Sequence, residues 1–140
     1  MGLILDSSVV IAAERNRYTL EQLIISVALF ANEEDVALSS VGLTELVHGI
    51  HRADTPQRRF TRQAFISELL QDLTVYPYTR EAALLAGRIW AEQQQAGVSV
   101  PYSDLLIGAT ALSIGYSVLT ANLRHFRLIP GLRVIPFQTS

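Results

Sequence analysis

Three acids and one amide fall along a 140-residue chain where apolar runs end or begin: Asp6, Glu45, Asp104 and Asn122. Asp6 closes the run Leu3-Ile4-Leu5. Glu45 lies in the first turns after Val36-Ala37-Leu38, Asp104 precedes Leu105-Leu106-Ile107, and Asn122 follows the run from Ser117 to Thr120. Three carboxylates and a carbonyl oxygen converging on one cleft would make a hard-oxygen site of the kind that suits Mg²⁺ or Mn²⁺. Without a cation the carboxylates would repel one another and raise each other's pKa, a conflict that a divalent metal removes. The chain has no cysteine, which excludes disulfides, thiolate zinc sites and cysteine nucleophiles. Its three histidines lack the H-E-x-x-H spacing, which argues against a zinc hydrolase.

Each of these residues also has a plainer reading. An Asp after a strand often only caps the next helix or shapes a turn, but a lone charge between apolar segments is costly at Asp6. Asp104 follows Ser103 and could simply favour a helix dipole. Yet Asp104, Gly108, Ala111 and Gly115 share one helical face, and its small residues suggest close approach to another element. Glu45 points away from the stripe Leu43, Leu46, Val47 and Ile50, so periodicity turns it to solvent or to an open cleft. Asn122 reads as a turn residue. His48, His51 and His125 read as surface residues, and the single Trp90 as core.

The elements that would carry these groups alternate between strand and helix. Strands are expected at Leu3–Leu5, Val36–Leu38, Leu73–Tyr76, Ser117–Thr120 and Arg133–Ile135. Between them the pattern gives a short helix over Val9–Glu14 capped by Ser7 or Ser8, and a helix from Thr19 to about Asn32. An acidic loop follows at Glu33-Glu34-Asp35. Ser39 or Ser40 caps a helix to about Arg52, and Pro56 enters another that runs to about Gln71. Thr79 caps a long helix to about Gln95, ended by Gly97; Ser103 caps one to about Gly115. Asn122 to Phe126 is a turn or short helix. This alternation predicts an α/β fold in three layers, α/β/α, with a central and mainly parallel sheet of four to five strands. The whole of 1–140 reads as a single domain. In such sheets sites form beyond the carboxyl ends of the strands, where three of the four groups fall; Asp104 opens the helix before the fourth strand.

Composition bounds the function. Hydrophobic residues make up 49% and charged residues 17%, with a mean hydropathy of +0.27, so a sizeable apolar surface and hence a protein interface is expected. No apolar stretch is long enough to span a bilayer. The start MGLILDSSVV has no basic region before its apolar run and is not expected to be a signal peptide, nor does it fit the myristoylation pattern. Without cysteine or a leader, a cytoplasmic setting is expected. All eleven basic residues are arginine and net charge is −2, so nucleic-acid contact must come from local clusters. Two exist: Arg52, Arg58, Arg59 and Arg62; and Arg124, Arg127 and Arg133 with His125. Either could equally be a solvated helix face.

The ordered set resembles the PIN domain, and within it the VapC-type toxins, end to end. LILDSSVVIA is similar to the family's first strand and acid, Asp6; SSVGLTELVHGI holds its glutamate, Glu45; VPYSDLLIGATAL holds its third acid, Asp104. LTANLRHFRLIPGLRV is similar to the stretch with Asp or Asn, a Phe four residues later and an I-P-G-L tail, here Asn122, Phe126 and Ile129 to Leu132. The resemblance implies a Mg²⁺-dependent endoribonuclease, with Mn²⁺ as a substitute, acting as the toxin of a toxin–antitoxin pair. It implies one ion by default, or two, held by Asp6, Asp104 and Glu45, with Asn122 completing the catalytic set. Ser8 and Thr120 would orient carboxylates or water, and Arg124 and Arg127 would hold RNA phosphates. Partners implied are a cognate antitoxin, RNA and a second copy as homodimer, with no membrane. Where some relatives carry Asp, this chain has Asn122, which brings no charge and weakens any second metal.

Other classes with this architecture fit less well. A haloacid-dehalogenase-like phosphatase needs an Asp where Ser8 stands, a receiver domain usually needs a lysine, and no GxxxxGK[ST] loop is present. The alternative from another class is a catalytically silent PIN-like scaffold that only binds a protein partner or RNA.

Overall fold

The computed structural model describes residues 1–31 and 34–138. Asn32 and Glu33, where a helix end and an acidic loop are expected, lie outside the described residues. The described residues form five strands and seven helices, in chain order: β1 (Gly2–Leu5), α1 (Ser7–Arg15), α2 (Leu20–Ala31), β2 (Asp35–Ser39), α3 (Ser40–His51), α4 (Pro56–Asp72), β3 (Thr74–Tyr76), α5 (Arg80–Gln95), α6 (Tyr102–Ser113), β4 (Ser117–Thr120), α7 (Leu123–Phe126) and β5 (Val134–Pro136).

The helices begin where short polar side chains can satisfy their free N–H groups. Ser39, Thr55 and Thr79 each accept from the backbone N–H three residues on. Thr19 and Gln22 exchange side-chain and backbone bonds, a reciprocal cap before α2. Two expected caps are corrected. Neither Ser7 nor Ser8 caps α1, since Asp6 occupies the N-cap position and its side chain makes no cap bond. Nor does Ser103 cap α6: Pro101 stands at that N-cap, and the Ser103 hydroxyl is directed elsewhere.

The strands are all parallel, in the order β3-β2-β1-β4-β5. The chain winds outward from β1 through β2 to β3, then returns to place β4 against β1. Strand order therefore reverses between β1 and β4, and their carboxyl ends diverge into a crevice. Register aligns Leu5 with Leu119, so Asp6 and Thr120 leave adjacent strands at the same height. The Asp6 N–H donates to Leu119 O at 3.0 Å, which carries the pairing one residue further.

Alternation along the strands divides the core. Leu5, Leu38 and Leu119 pack on one face with Val9, Val10, Leu23 and Leu69. Ile4, Ala37 and Val118 pack on the other with Ile89, Leu105, Ile107 and Phe126. Helix α6 lies so close to its neighbour that a Cβ on Gly108 would crowd Ile129, the close approach its small residues imply. Tyr76, the last residue of β3, and Tyr116, just before β4, meet edge to face, and both hydroxyls donate to Asp35 at the start of β2, at 3.0 and 2.6 Å. The bond to the Asp35 carboxylate, and after it the contact with the Tyr76 hydroxyl, push the Tyr116 hydroxyl well above its usual pKa.

The apolar surplus does reach the surface. Ile25, Leu29, Phe60 and Leu84 are each more than half exposed. Val47, assigned by periodicity to the core stripe of α3, is instead exposed, as is Trp90 on α5 at 48%. Trp90 packs on the outside against Tyr102, with ring centroids 5.3 Å apart, because the inward positions of α5 go to the smaller Ala82, Ala86 and Ile89.

Candidate active site

The β1–β4 crevice is built around Asp6, which is almost fully buried. Its Oδ2 accepts from the Ser8 hydroxyl at 2.6 Å and the Thr120 hydroxyl at 3.0 Å. Each hydroxyl is itself aimed: Ala121 N–H donates to Ser8 Oγ and Asn122 N–H to Thr120 Oγ1. With their lone pairs so engaged, both hydroxyls direct their protons to Asp6. The two residues assigned from sequence to orient a carboxylate therefore both hold Asp6, and by the same oxygen. The other oxygen, Oδ1, is buried without a hydrogen-bond partner among the described residues. A carboxylate oxygen left dry costs several kcal/mol unless a proton or a cation meets it, on the order of the penalty for a buried unpaired charge.

Glu45 reaches the crevice from α3. Ser7 donates to its Oε1 at 2.9 Å and Ser103 to its Oε2 at 3.1 Å. These two serines come from α1 and α6, so three helices converge on one carboxylate. Periodicity turned this residue to solvent or an open cleft; it is half-buried at the cleft's edge. Ser7 and Ser103 escaped the sequence reading, and only their adjacency to Asp6 and Asp104 could have flagged them.

Asp104 sits in the first turn of α6, buried, and its Oδ2 lies 2.8 Å from His125 Nδ1. That nitrogen is also 2.8 Å from Asn122 Nδ2. His125 is thus no free surface residue: α7 places it between the amide and the acid. Burial first, then the charge of Asp6, pushes the Asp104 carboxyl above its ordinary value. The His125 bond and charge pull the other way, and Glu45 adds to the rise. Because Asp6 and Glu45 both act on Asp104, the three acids share one electrostatic site.

A cation fits this donor set on two grounds: the unpartnered buried Asp6 Oδ1, and an Asp104 whose ionisation its neighbours oppose. Oxygen donors around a site of net negative charge match Mg²⁺ or Mn²⁺. Among the described residues no three Asp, Glu or His side chains are drawn together as a finished ligand cage. Arg124 on α7 and Arg127 at its C-cap are exposed on the side of the crevice that Asn122 opens. Arg58 and Arg59 of the other cluster are bound to Asp54 and to Ala53 O.

Residues 3–132 match the family model described as the PIN domain. Over 135 residues the chain is 33% identical to Ribonuclease VapC1 of Rickettsia felis, covering 96% of each chain. It is 35% identical over 103 residues to the tRNA(fMet)-specific endonuclease VapC of Salmonella typhimurium, covering 74% of this chain and 76% of that one. Among solved structures, DNA-bound VapBC from Salmonella typhimurium superposes with a TM-score of 0.81 at 28% identity, covering 99% of both chains.

Proposed function

The chain belongs to the PIN-domain family, among its VapC-type members, and we propose that it is a metal-dependent endoribonuclease, the toxin of a toxin–antitoxin pair. The observation that carries this reading is Asp6: fixed through Oδ2 by two aimed hydroxyls, with Oδ1 buried and open to a cation. The names of the relatives, one a ribonuclease and one a tRNA(fMet)-specific endonuclease, support the substrate class.

In this reading Asp6 and Asp104 hold one Mg²⁺, replaceable by Mn²⁺, with Glu45 joining directly or through water. When bound, the cation supplies Lewis acidity, neutralising phosphate charge and lowering the pKa of the attacking water. Ser8 and Thr120 hold Asp6 in place. Ser7 and Ser103 fix the direction of Glu45, which can accept a proton from water at the cleft edge. His125 orients Asp104, with Asn122 beside the same ring nitrogen. Arg124 and Arg127 meet the phosphates flanking the scissile bond. Asn122 brings no charge, so a single ion is the working complement. The exposed apolar residues suit a second copy as homodimer and a cognate antitoxin, and the expected setting is the cytoplasm. No helix among the described residues is long and apolar enough to cross a membrane.

The test is cleavage of total RNA by the purified, partner-free protein in Mg²⁺, in Mn²⁺ and in EDTA, beside Asp6→Asn and Asp104→Asn. Discrete cleavage that requires metal and both carboxylates is the expected result. Cleavage surviving both substitutions, or none in the wild type, would favour a silent scaffold.

A further inference from the structure

A second cleft, of about 820 Å³, runs between α1, α3 and α4. Ser7 and Glu45 line its inner end, so it is continuous with the site described above. Its wall carries four arginines, Arg15, Arg17, Arg52 and Arg62, against two glutamates, in a chain whose net charge is −2. The glutamates are engaged: Glu14 pairs with Arg62 at 2.6 Å, and Glu45 is held by the two serines. Arg62 also donates to Gly49 O, so it ties α4 to α1 and α3 and forms the floor. Arg15, Arg17 and Arg52 are exposed and make no ion pair among the described residues.

Arg17 has a further peculiarity. It holds φ +57, and among the described residues it is the sole non-glycine on the left-handed side. The position lies just past the end of α1, where glycine is the residue that fits without penalty. An arginine kept where the backbone favours glycine points to a use for its side chain. Half-buried Tyr18, in the same wall, offers an aromatic edge beside it.

We infer that this cleft is a binding track for single-stranded RNA, in which Arg15, Arg17 and Arg52 hold the phosphates of the strand on one side of the cut. A positively lined groove with an aromatic in its wall, leading into an acid-lined centre, is what a polyanionic single strand requires. The inference rests on the nuclease reading and extends it: the cleft includes Ser7 and Glu45, so a strand held along it reaches the acids. An acidic polypeptide is the competing occupant.

The experiment measures binding of unfractionated transfer RNA in EDTA over a range of salt, for the wild type, Arg17→Gly, Arg52→Gln and Arg58→Gln. Arg17→Gly and Arg52→Gln should each weaken binding roughly threefold to tenfold near physiological salt and lower the log–log salt slope by about 0.7 to 1. Arg58→Gln, outside the cleft and paired with Asp54, should bind as the wild type does. Arg17→Gly should keep or raise the melting temperature, because glycine suits that backbone, so lost affinity cannot be misread as lost fold. Wild-type affinity and slope in both cleft variants overturn the inference; the same result with loss of antitoxin binding assigns the cleft to a polypeptide. Binding is read without metal or turnover. A wild type that fails to cleave therefore sinks the nuclease reading alone, while cleft variants that bind normally in a cleaving protein sink the track alone.

Discussion

His125 Nδ1 stands 2.8 Å from Asp104 Oδ2 and is, among the described residues, the one side-chain partner of that buried acid. The nitrogen can offer a proton or a lone pair, not both at once. With Asp104 ionised, Nδ1 carries the proton and gives it to the acid, which leaves Nε2 with the lone pair in the neutral ring. The Asn122 amide nitrogen, also 2.8 Å from Nδ1, is itself a donor and can bond to that nitrogen only when it is unprotonated, which puts the shared proton on Asp104 instead.

His125→Ala should therefore act through Asp104. Loss of an orienting partner one step from a metal ligand commonly costs about 10- to 100-fold in metal affinity or activity. The expected result is a fall of that size in kcat/KM with a higher Mg²⁺ requirement, read by a metal titration of activity. An unchanged Mg²⁺ midpoint would show that Asp104 keeps its direction without the ring.

Asp104→Asn should stabilise the metal-free protein while abolishing cleavage. The folded carboxyl titrates above its ordinary value of 3.8, burial being the largest cause and the Asp6 charge the next. The folded state thus holds that proton more tightly than the unfolded chain. Its stabilising contribution is complete below the ordinary value and is lost as pH rises through the shifted one. In EDTA, the gap in melting temperature between variant and wild type should widen as pH climbs from the acid range to neutrality. In Mg²⁺ the order should reverse, since only the wild type gains from the ion; a hundredfold excess over Kd adds about 2.7 kcal/mol.

Thr120→Val nearly preserves shape and deletes one of the two hydroxyls on Asp6 Oδ2. A hydrogen bond to a charged, buried group contributes about 1.5–3 kcal/mol. The Asn122 N–H also loses its acceptor. Denaturant unfolding in EDTA should show a loss in that range. Ser8→Ala should show the same sign, and the pair together less than the sum, because both act on one oxygen.

Ser103→Ala separates the two roles of that residue. A capping serine lost from α6 would lower stability by about 1 kcal/mol. Because its hydroxyl goes to Glu45 and not to the helix, the variant should keep its melting temperature and lose activity severalfold. Lost stability with normal turnover would return Ser103 to the role its sequence position suggests.

The layers and strands were legible because burial on both sheet faces writes short apolar runs, Leu3–Leu5 and Ser117–Thr120 among them, and the polar residues at their ends mark the crevice. Asp6, Ser8 and Thr120 come from residues adjoining two neighbouring strands, so their meeting follows from topology. Glu45 did not follow from its own helix. Periodicity records which face of α3 is oily, whereas the serines that draw Glu45 in belong to α1 and α6. His125 was overlooked for a similar reason, as its partner is 21 residues away and no ligand spacing announces it. The arginine cluster of the middle segment divides in space, Arg58 turning to Asp54 while Arg52 and Arg62 join Arg15 and Arg17 across a cleft no local pattern describes. Trp90 was misplaced because size argued for burial where the inward face of α5 is made of small residues.

That misplaced indole gives the chain a built-in optical gauge. Trp90 is its single tryptophan, and it rests on Tyr102, the first residue of the helix whose third residue is Asp104. Any shift of that helix start as an ion or a strand engages the acid will alter the solvent around one fluorophore, so occupancy can be followed in the unlabelled protein by the colour and intensity of its emission.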